Sequence, residues 1–402
     1  MDRTVRRLLA VVLTACALLT LAGYALKAQC IGDYARVHDK VLCSNDIQVL
    51  YVGRGMHERP FPYVHGSLVD GQLRGGAIEY PVLTGIFAWL PALVTHDGDG
   101  YLQVTALLLA PFSLVTAYLL TRMVRWRALI YSLAPALVWY SFHNWDLLVV
   151  CATVAAFHAW WRGETAWAAG WLAVGACLKL WPGFFIVPLL LDRLRARDRA
   201  GFGWAAAAFA GVFGTLNGVF ALVNVDGWWA SYAFQELRAA DITSNSIWYW
   251  GFRQLTTDQL NRLIPVLLGL AFAAACGGGW WRSRRDAAYP FVQVSGSMLV
   301  AFLVLNKAHS PQYTLWLLPF FVLVRLRWGW WVAYLVLDTT FYIGLFRWFY
   351  RLSMGVDFGI EKQAVLVGVW GRAVMLVLLF GVFLRSETAL LRSPSADVAV
   401  TA

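Results

Sequence analysis

The first long apolar run of the chain, residues 8–26, is LLAVVLTACALLTLAGYAL, and arginines precede it at positions 3, 6 and 7. About 20 apolar residues in a helix cross the hydrocarbon core of a bilayer, so this run is long enough to span one. No convincing small-residue cleavage pattern follows it at residues 23–27. We therefore expect a retained membrane helix whose amino terminus is cytoplasmic.

The composition of the whole chain agrees with this first segment. Of 402 residues, 60% are hydrophobic and 14% are charged, and 15% are aromatic. A soluble domain carries roughly a quarter charged residues, so the balance excludes a soluble globule, a disordered chain and a small disulfide scaffold. Aromatic residues are enriched where rings lie at membrane interfaces. The sequence predicts an all-α polytopic membrane protein.

The basic residues indicate how the chain is threaded. They give a net charge of +10 and occur as short clusters between apolar runs, at residues 3–7, 122–127, 193–199, 282–285 and 325–327. Cytoplasmic loops of membrane proteins are rich in Lys and Arg. The charge excess is therefore assigned to topology, and no binding of nucleic acid is expected.

Apolar runs occur throughout the chain. They lie at residues 8–26, 101–121, 128–141, 147–161, 165–178, 183–192, 203–224, 262–281, 288–305, 314–324, 328–347 and 363–384. A further run, residues 82–94, would move every later basic cluster outside if it crossed the membrane, so we expect a re-entrant or interfacial helix there. This threading predicts about twelve crossings in one domain over residues 1–385, with a structured extracytoplasmic loop at 27–100. Residues 386–402 are expected to form a disordered cytoplasmic tail.

The first polar loop contains a candidate general base. Asp46 ends the sequence SND at residues 44–46, and Ile47, Leu50 and Tyr51 follow at helical spacing. A carboxylate at the start of an interfacial helix could take a proton from a hydroxyl group. Asp46 could equally cap that helix, because Ser, Asn and Asp are all good N-caps. Two cysteines of this loop, Cys30 and Cys43, are a plausible disulfide if the loop lies outside the cytoplasm.

Candidate anion-binding residues interrupt later apolar runs. Lys307 and His309, in KAHSPQY at residues 307–313, lie close to the bilayer, where ionisable groups are costly unless they have a function or a partner. A lipid phosphate would suit them, whereas a snorkelling lysine and a backbone-bonded histidine are the structural alternative. Lys179, in KLWP at residues 179–182, and Arg54 are further candidates for contact with a phosphate. Asp146, in HNWD at residues 143–146, is expected to cap a helix.

No cofactor is expected. Asp97 and Asp99 have a spacing that could hold a divalent ion, but the segment HDGDG at residues 96–100 is also an ordinary turn composition. No Gly-rich run leads into Lys-Ser or Lys-Thr, so the sequence has no nucleotide-phosphate loop. No Cys and His spacing is typical of a zinc site.

Four motifs in this order resemble the family 87 glycosyltransferases of the GT-C superfamily. They are Asp46 in the first loop, EYP at residues 79–81, KLWP at 179–182 and KAHSPQY at 307–313. That family includes polyprenyl-phosphate-mannose-dependent mannosyltransferases of actinobacterial envelopes, and the resemblance covers residues 8–384. Relatives often have Tyr-Pro-Pro where this chain has Tyr80-Pro81-Val82.

The resemblance implies a reaction and assigns roles. An inverting transfer of a sugar, with mannose expected, would run from a polyprenyl-phosphate donor to a lipid or glycan acceptor on the outer face of the plasma membrane. Asp46 would be the catalytic base, with Glu79 as the next candidate. Lys307, His309, Lys179 and Arg54 would bind the donor phosphate. The further substrate-binding candidates are Tyr80, Asn144, Gln312 and Tyr313.

Other functions stay open at the level of sequence. The donor sugar could be arabinose. A lipid or solute transporter would also show many helices and intramembrane charges, although no internal repeat is evident here. A catalytically inactive member of the family could act as a scaffold for envelope enzymes. An outward cavity shared by Asp46 and Lys307 would favour an enzyme over a transporter.

Overall fold

The structure is a computed structural model that describes residues 3–286 and 288–391. Apart from one hairpin, the regular structure of this part of the chain is helical. The α-helices are α1 (Arg3–Ala28), α2 (Tyr34–Val37), α3 (Asp46–Gly53), α4 (Val82–Ala92), α5 (Gly98–Val124), α6 (Leu129–Ser132), α7 (Pro135–Tyr140), α8 (Asp146–Trp161), α9 (Thr165–Leu178), α10 (Ile186–Arg195), α11 (Arg199–Val223), α12 (Val225–Leu237), α13 (Ile247–Gly251), α14 (Thr257–Asp286), α15 (Phe291–Leu305), α16 (Thr314–Leu323), α17 (Trp328–Ser353) and α18 (Ile360–Arg385). The hairpin pairs β1 (Ser67–Val69) antiparallel with β2 (Gln72–Arg74), and short 3-10 turns occur at Met56–Glu58, Arg125–Ala128, Trp181–Phe185 and Pro311–Tyr313.

The lengths of the helices identify a multi-pass membrane protein. Within the described residues, 6 helical stretches are long and apolar enough to cross a bilayer. They are α1, the continuous stretch over residues 98–132, α11, α14, α17 and α18. The apolar helices α4, α8, α9 and α15 are shorter. The all-α membrane class is therefore confirmed, whereas twelve crossings stay a prediction.

Several predicted spans are broken into short pieces inside the bundle. The run 128–141 forms α6 and α7, because Pro135 begins a new helix and disfavours helical backbone at the preceding residue. The run 183–192 divides between the 3-10 turn Trp181–Phe185 and α10. Ends of short helices at membrane depth are tolerated where protein surrounds them. Residues of α7 and α16 are accordingly buried.

Helix α4 covers most of the doubtful run 82–94. It has 11 residues, which at a rise of about 1.5 Å per residue is far shorter than a hydrocarbon core of about 30 Å. Its first turn is fixed by Thr84, whose Oγ1 donates to the carbonyl oxygen of Leu178 over 2.7 Å. The length of the helix favours the prediction that this run does not cross.

The basic clusters meet at one end of the bundle, which we call the basic end. Arg127 donates to three backbone carbonyl oxygens in residues 321–324. Arg282 donates to the carbonyl oxygens of Leu384 and Ser386 at 2.8 and 2.6 Å. Guanidinium groups thus satisfy carbonyl groups that helix ends leave unpaired. The opposite end, reached by the carboxyl terminus of α1, is called the site end.

The residues after α18 differ from the predicted tail. The backbone N–H of Arg325 donates to the carbonyl oxygen of Glu387 at 2.8 Å, and Ala389 N–H donates to that of Leu323 at 2.7 Å. Leu391 N–H reaches the carbonyl oxygen of Met123. Residues 386–391 are therefore packed on the basic end, contrary to the predicted disorder, because their backbone groups pair with the bundle. Residues 392–402 lie outside the described part.

The first polar loop is folded onto the site end. A disulfide joins Cys30 to Cys43, with 5.6 Å between their Cα atoms. Helix α3 follows and begins at Asp46, as the spacing of apolar residues predicts. Its Ile47 and Tyr51 side chains are buried in the main core. This packing places α3 against α5 at the site end.

Candidate active site

A cavity of about 530 Å³ opens at the site end. Its wall comes from distant parts of the sequence: residues 34–54, 79–80, 143, 179, 234–245, 310–313 and 345–349. Asp46, Tyr80, Lys179 and Gln312 are among the lining residues. The structure therefore brings together several residues that the sequence placed in separate motifs.

Asp46 is free of the capping role that competed with catalysis. The N-cap of α3 is Asn45, whose side chain accepts a hydrogen bond from the backbone N–H of Gln48 at 2.8 Å. Asp46 is the first helical residue, and its own N–H donates to the carbonyl oxygen of His143 at 2.8 Å. The carboxylate is thus available to the cavity, and the capping interpretation of Asp46 is wrong.

Asn144 holds the Asp46 carboxylate. Its Nδ2 donates to Asp46 Oδ2 at 2.7 Å and to the hydroxyl oxygen of Tyr80 at 2.6 Å. Its Oδ1 accepts from the N–H of Trp145 at 2.6 Å, which fixes the orientation of the amide. Since Asn144 is completely buried, this amide cannot easily exchange its partners for water.

Burial raises the pKa of Asp46 above that of an ordinary aspartate. The hydrogen bond from Asn144 and the positive charges of Lys179, Arg238 and Lys27 act in the opposite direction, but they do not cancel the effect of burial. A carboxylate with a raised pKa binds a proton more tightly than a solvated one does. Such a group suits general-base chemistry near neutral pH.

Lys179 lies at the floor of the cavity in an ion pair. Its Nζ is 2.7 Å from Asp146 Oδ1, which also accepts from the indole N–H of Trp316 at 2.6 Å. The ammonium group faces the rings of Tyr80, Tyr313 and Trp316 at 5.2 to 5.6 Å from their centroids. Asp146 is therefore a counter-ion rather than the expected N-cap of α8, because Lys179 competes successfully for its carboxylate.

A second cavity, of about 230 Å³, adjoins the first. The two share Glu79, Tyr80, Lys179, Gln235 and Tyr313 as lining residues. The remaining wall of the second cavity is largely apolar and aromatic, with Leu180, Trp181, Phe184, Phe302 and Trp316. The site thus has a polar compartment and an apolar one, and Lys179 lies where they meet.

Arg54 and Glu79 neutralise each other across the cavity wall. Arg54 Nε lies 2.6 Å from Glu79 Oε2, and Nη2 lies 3.2 Å from Oε1. Both side chains are mostly buried, with exposures of 17% and 11%. This bidentate pair occupies both oxygens of the Glu79 carboxylate and two donor groups of the guanidinium. Arg54 and Glu79 therefore both line the cavity, where their charged groups are bonded to each other.

The structure does not bring Lys307 or His309 to the cavity wall. Lys307 Nζ donates to the carbonyl oxygens of Gln235 and Glu236 at 3.1 and 3.0 Å and to Asn261 Oδ1 at 2.5 Å. His309 is buried, and its ring stacks against that of Tyr313 with centroids 6.2 Å apart. Asp46 and Lys307 therefore do not line a common cavity, because the Lys307 ammonium group binds oxygen atoms of residues 235, 236 and 261 instead.

The residues that follow in the same motif do line the cavity. Ser310, Pro311, Gln312 and Tyr313 form one side of it. Gln312 Oε1 is buried and has no hydrogen-bond partner within the described residues. Gln312, Tyr313 and Tyr80 therefore line the cavity, whereas Asn144 is completely buried and is not a lining residue. The substrate-binding roles of all four residues stay predictions.

Two cations near Asp46 were missed by reasoning from sequence. Arg238 lines the cavity, half-buried, and within residues 3–286 and 288–391 no hydrogen bond or ion pair engages its side chain. Lys27 is completely buried and donates to the carbonyl oxygen of Ser44 and to the hydroxyl of Tyr342, both at 2.8 Å. The only signal for Lys27 was its place at the end of the first span, where a snorkelling lysine is ordinary.

The acidic pair proposed as a weak metal site has structural roles. Asp97 caps α5, accepting from the N–H of Gly100 at 2.7 Å. Asp99 accepts from the N–H of Gly32 and from Gln48 Nε2, both at 2.8 Å. In the described part of the chain, no group of three or more His, Cys, Asp or Glu side chains is arranged to hold a metal ion.

Comparison with known proteins identifies the family. A sequence model described as glycosyltransferase family 87 matches residues 79–306, more than half of the chain. The match includes Glu79, Tyr80, Asn144 and Lys179. No curated protein matches the chain significantly. The family match confirms the resemblance drawn from the motifs. The chain belongs to glycosyltransferase family 87 and is a membrane glycosyltransferase.

Proposed function

We propose that this enzyme transfers a sugar, mannose in the first instance, from a polyprenyl-phosphate donor to a hydroxyl group of a lipid or glycan acceptor. The observation that carries the proposal is the placement of Asp46. Its carboxylate lines a polar cavity, is oriented by Asn144 alone among side chains of the described residues, and has a raised pKa. A second, largely apolar cavity adjoins this polar cavity.

The reaction follows from the chemistry of that carboxylate. Asp46 takes the proton of the acceptor hydroxyl while the hydroxyl oxygen attacks the anomeric carbon of the donor sugar. The bond between that carbon and the phosphate oxygen breaks, and polyprenyl phosphate departs with the electron pair. A single displacement inverts the anomeric configuration. The proton ends on Asp46, and its raised pKa supports its holding the proton until water removes it.

The two adjoining cavities support a lipid-linked donor. The apolar walls around Phe184, Phe302 and Trp316 suit an isoprenoid chain, and the polar compartment suits a sugar and its acceptor. A phosphate joining the two parts of the donor would lie at their junction, next to Lys179. Arg238 lines the polar cavity, and among the described residues no side chain engages it, so its guanidinium is available to the same phosphate. Cations placed where the leaving group gains charge stabilise its departure in a site poor in water.

Two features support an extracytoplasmic site. The basic clusters lie at the opposite end of the bundle, and basic loops face the cytoplasm in most membrane proteins. The site end carries the disulfide between Cys30 and Cys43, and disulfides persist in oxidising compartments. Sugar nucleotides are not available on that side of the plasma membrane, so a lipid-borne donor fits the same orientation.

The experiment is a transfer assay with purified protein in detergent. Polyprenyl phosphates carrying mannose, arabinose or glucose are supplied with membrane lipid extract as acceptor, and released polyprenyl phosphate is measured by mass spectrometry. We expect release with the mannosyl donor, and a rate about 10²–10⁴-fold lower from the Asp46→Asn variant. Release with the arabinosyl donor alone would identify arabinose, and not mannose, as the transferred sugar. Transfer from a sugar nucleotide, and from no lipid-linked donor, would overturn the proposal.

A further inference from the structure

A charged pair lies in the interior of the bundle, outside both cavities. Asp338 in α17 and Arg372 in α18 have Oδ1 and Nη1 3.2 Å apart, and each side chain is 1% exposed. The guanidinium also lies over the ring of Phe341, 3.7 Å from its centroid. Charges at membrane depth are costly and mark functional positions more often than structural ones. A buried ion pair is also weak evidence of stability, since desolvation offsets its attraction.

The Asp338 carboxylate has two further bonds that lead to the site. Asp338 Oδ2 accepts from the hydroxyl of Tyr140 at 3.0 Å, and Oδ1 accepts from that of Thr314 at 2.7 Å. Tyr140 ends α7, four residues before Asn144. Thr314 begins α16, directly after Tyr313. One carboxylate on a third helix therefore bonds to both segments that carry these site residues.

One of these segments positions the proposed base, and the other lines the proposed binding site of the donor. The segment after Tyr140 holds Asp46, through Asn144. The segment before Thr314 supplies Gln312 to the polar cavity and Tyr313 to the wall that the polar and apolar cavities share. The distance between base and donor thus depends on how these segments are placed relative to each other. Helix α17, through Asp338, is bonded to both.

We propose that Asp338 is a positioning residue that holds the Asn144 segment and the Gln312–Tyr313 segment in register for transfer, with Arg372 fixing its carboxylate. The inference rests on the proposed function, because the register of the two segments affects the rate only if Asp46 and the donor sugar react in this site. Asp338 is 1% exposed and does not line either cavity, so it does not contact substrate. Arg372 Nη1 donates to the same Oδ1 atom as Thr314, and Arg372 Nε donates to the carbonyl oxygen of Gly368 at 3.2 Å.

Two nearly isosteric variants remove one bond each and leave the ion pair intact. Tyr140→Phe deletes the bond to the Asn144 segment, and Thr314→Val deletes the bond to the Gln312–Tyr313 segment. Thr121→Val is the matched control, because Thr121 is buried and donates at 2.7 Å to a backbone carbonyl oxygen next to the basic end. Misplacement by about 1 Å costs up to about 100-fold in rate, so we expect both variants to lose kcat with little change in KM for the donor.

Hydrogen exchange measured by mass spectrometry tests the register without any substrate. We expect faster exchange at residues 141–146 in Tyr140→Phe and at residues 312–316 in Thr314→Val, with wild-type exchange at residues 192–198 in both. Thr121→Val should change neither site segment. Wild-type exchange in both segments of both variants would overturn the proposal. Faster exchange in a protein that transfers from no lipid-linked donor would support the positioning role and count against the proposed function.

A pair of double variants separates positioning from stability. Asp338→Asn with Arg372→Met removes both charges but keeps an oxygen that one hydroxyl can still reach. Asp338→Leu with Arg372→Met removes the charges and every acceptor. We expect the Asn double variant to keep more kcat than the Leu double variant at equal melting temperature. Equal kcat in two folded double variants would overturn the positioning role.

Discussion

The Nδ2 atom of Asn144 lies 2.7 Å from the Oδ2 atom of Asp46. This bond crosses 98 residues of sequence and joins α3 in the first polar loop to the segment before α8. Because the same amide group also donates to Tyr80, the carboxylate, the phenol and the amide form one connected group at the cavity. A neutral amide orients the carboxylate without neutralising it, which leaves its charge available for a substrate proton.

Asp46→Asn should abolish most of the transfer while the protein keeps its fold. The new amide oxygen can accept the bond from Asn144, and Asn45 still caps α3. Loss of general-base assistance costs about 10²–10⁴ in rate. Because burial raises the pKa of Asp46, the folded state pays for keeping the carboxylate ionised at neutral pH, so the neutral amide should not lower the melting temperature. Initial rates of transfer and melting curves of the purified variant check both statements.

Glu79→Gln is the matched control for that variant. Glu79 lines the same cavity but is held by Arg54 in two hydrogen bonds, of which the amide can keep one. We expect Glu79→Gln to retain far more activity than Asp46→Asn. If folded Asp46→Asn transfers at the wild-type rate while Glu79→Gln is inactive, the roles of the two carboxylates must be exchanged.

The pH dependence of kcat/KM should report the protonation state of the Asp46 carboxylate. The base works only when deprotonated, so activity falls as the pH decreases through its pKa, which burial raises above the ordinary value for aspartate. The hydrogen bond from Asn144 stabilises the charged form and lowers that pKa. Asn144→Ala should therefore move the acid limb of the profile to higher pH. Tyr80→Phe removes only the other partner of the amide and should leave that limb in place. A shift of the acid limb to lower pH in Asn144→Ala would contradict the assignment.

Lys179→Met should destabilise the protein strongly. Asp146 is completely buried, and its carboxylate would lose its counter-ion while keeping the hydrogen bond from the indole N–H of Trp316. Breaking a buried ion pair on one side costs about 3–5 kcal/mol in the free energy of unfolding. The double variant with Asp146→Asn should recover most of that loss, as measured by unfolding in mixed micelles. If Lys179→Met alone leaves the free energy of unfolding unchanged, the lysine snorkels and its ion pair with Asp146 does not stabilise the fold.

Replacing both Cys30 and Cys43 by Ser should lower stability and activity together. The disulfide closes a short loop, with a sequence separation of 13 residues, which stabilises by about 3 kcal/mol in the chain-entropy model. Ser44 lies between Cys43 and the segment that carries Asp46. Its carbonyl oxygen accepts a hydrogen bond from Lys27 and also contacts His143 Nδ1. Loosening this segment should reduce kcat. Cys276→Ser, at a free cysteine, is the control. Unchanged kcat in the double variant would show that packing alone holds the segment.

Labelling in intact cells tests the orientation. A cysteine placed at Arg125 or Arg197, both exposed at the basic end, should resist an impermeant thiol reagent. A cysteine at Asp70, exposed between β1 and β2 at the site end, should react. Labelling of Arg197→Cys from outside would contradict both the threading and the extracytoplasmic site.

Local properties of the sequence determined the class of the protein. Hydropathy is a property of neighbouring residues, so the membrane class follows from runs such as 8–26 without any tertiary contact. The start of α3 at Asp46 follows from helical spacing in the same way. The basic clusters indicated one face, and they meet at one end of the bundle. The order of motifs was also enough to indicate the family.

Tertiary structure alone decided which polar groups are partners. Lys307 and Lys179 look alike in sequence, each next to an apolar run, yet one closes a loop on carbonyl oxygens and the other is paired with Asp146 in the cavity floor. Arg238 gave no signal until the fold placed it beside the cavity. A buried charge takes whichever oxygen or cation the fold brings within hydrogen-bonding distance. That choice depends on segments as far apart as Asp46 and Asn144, which no local pattern encodes.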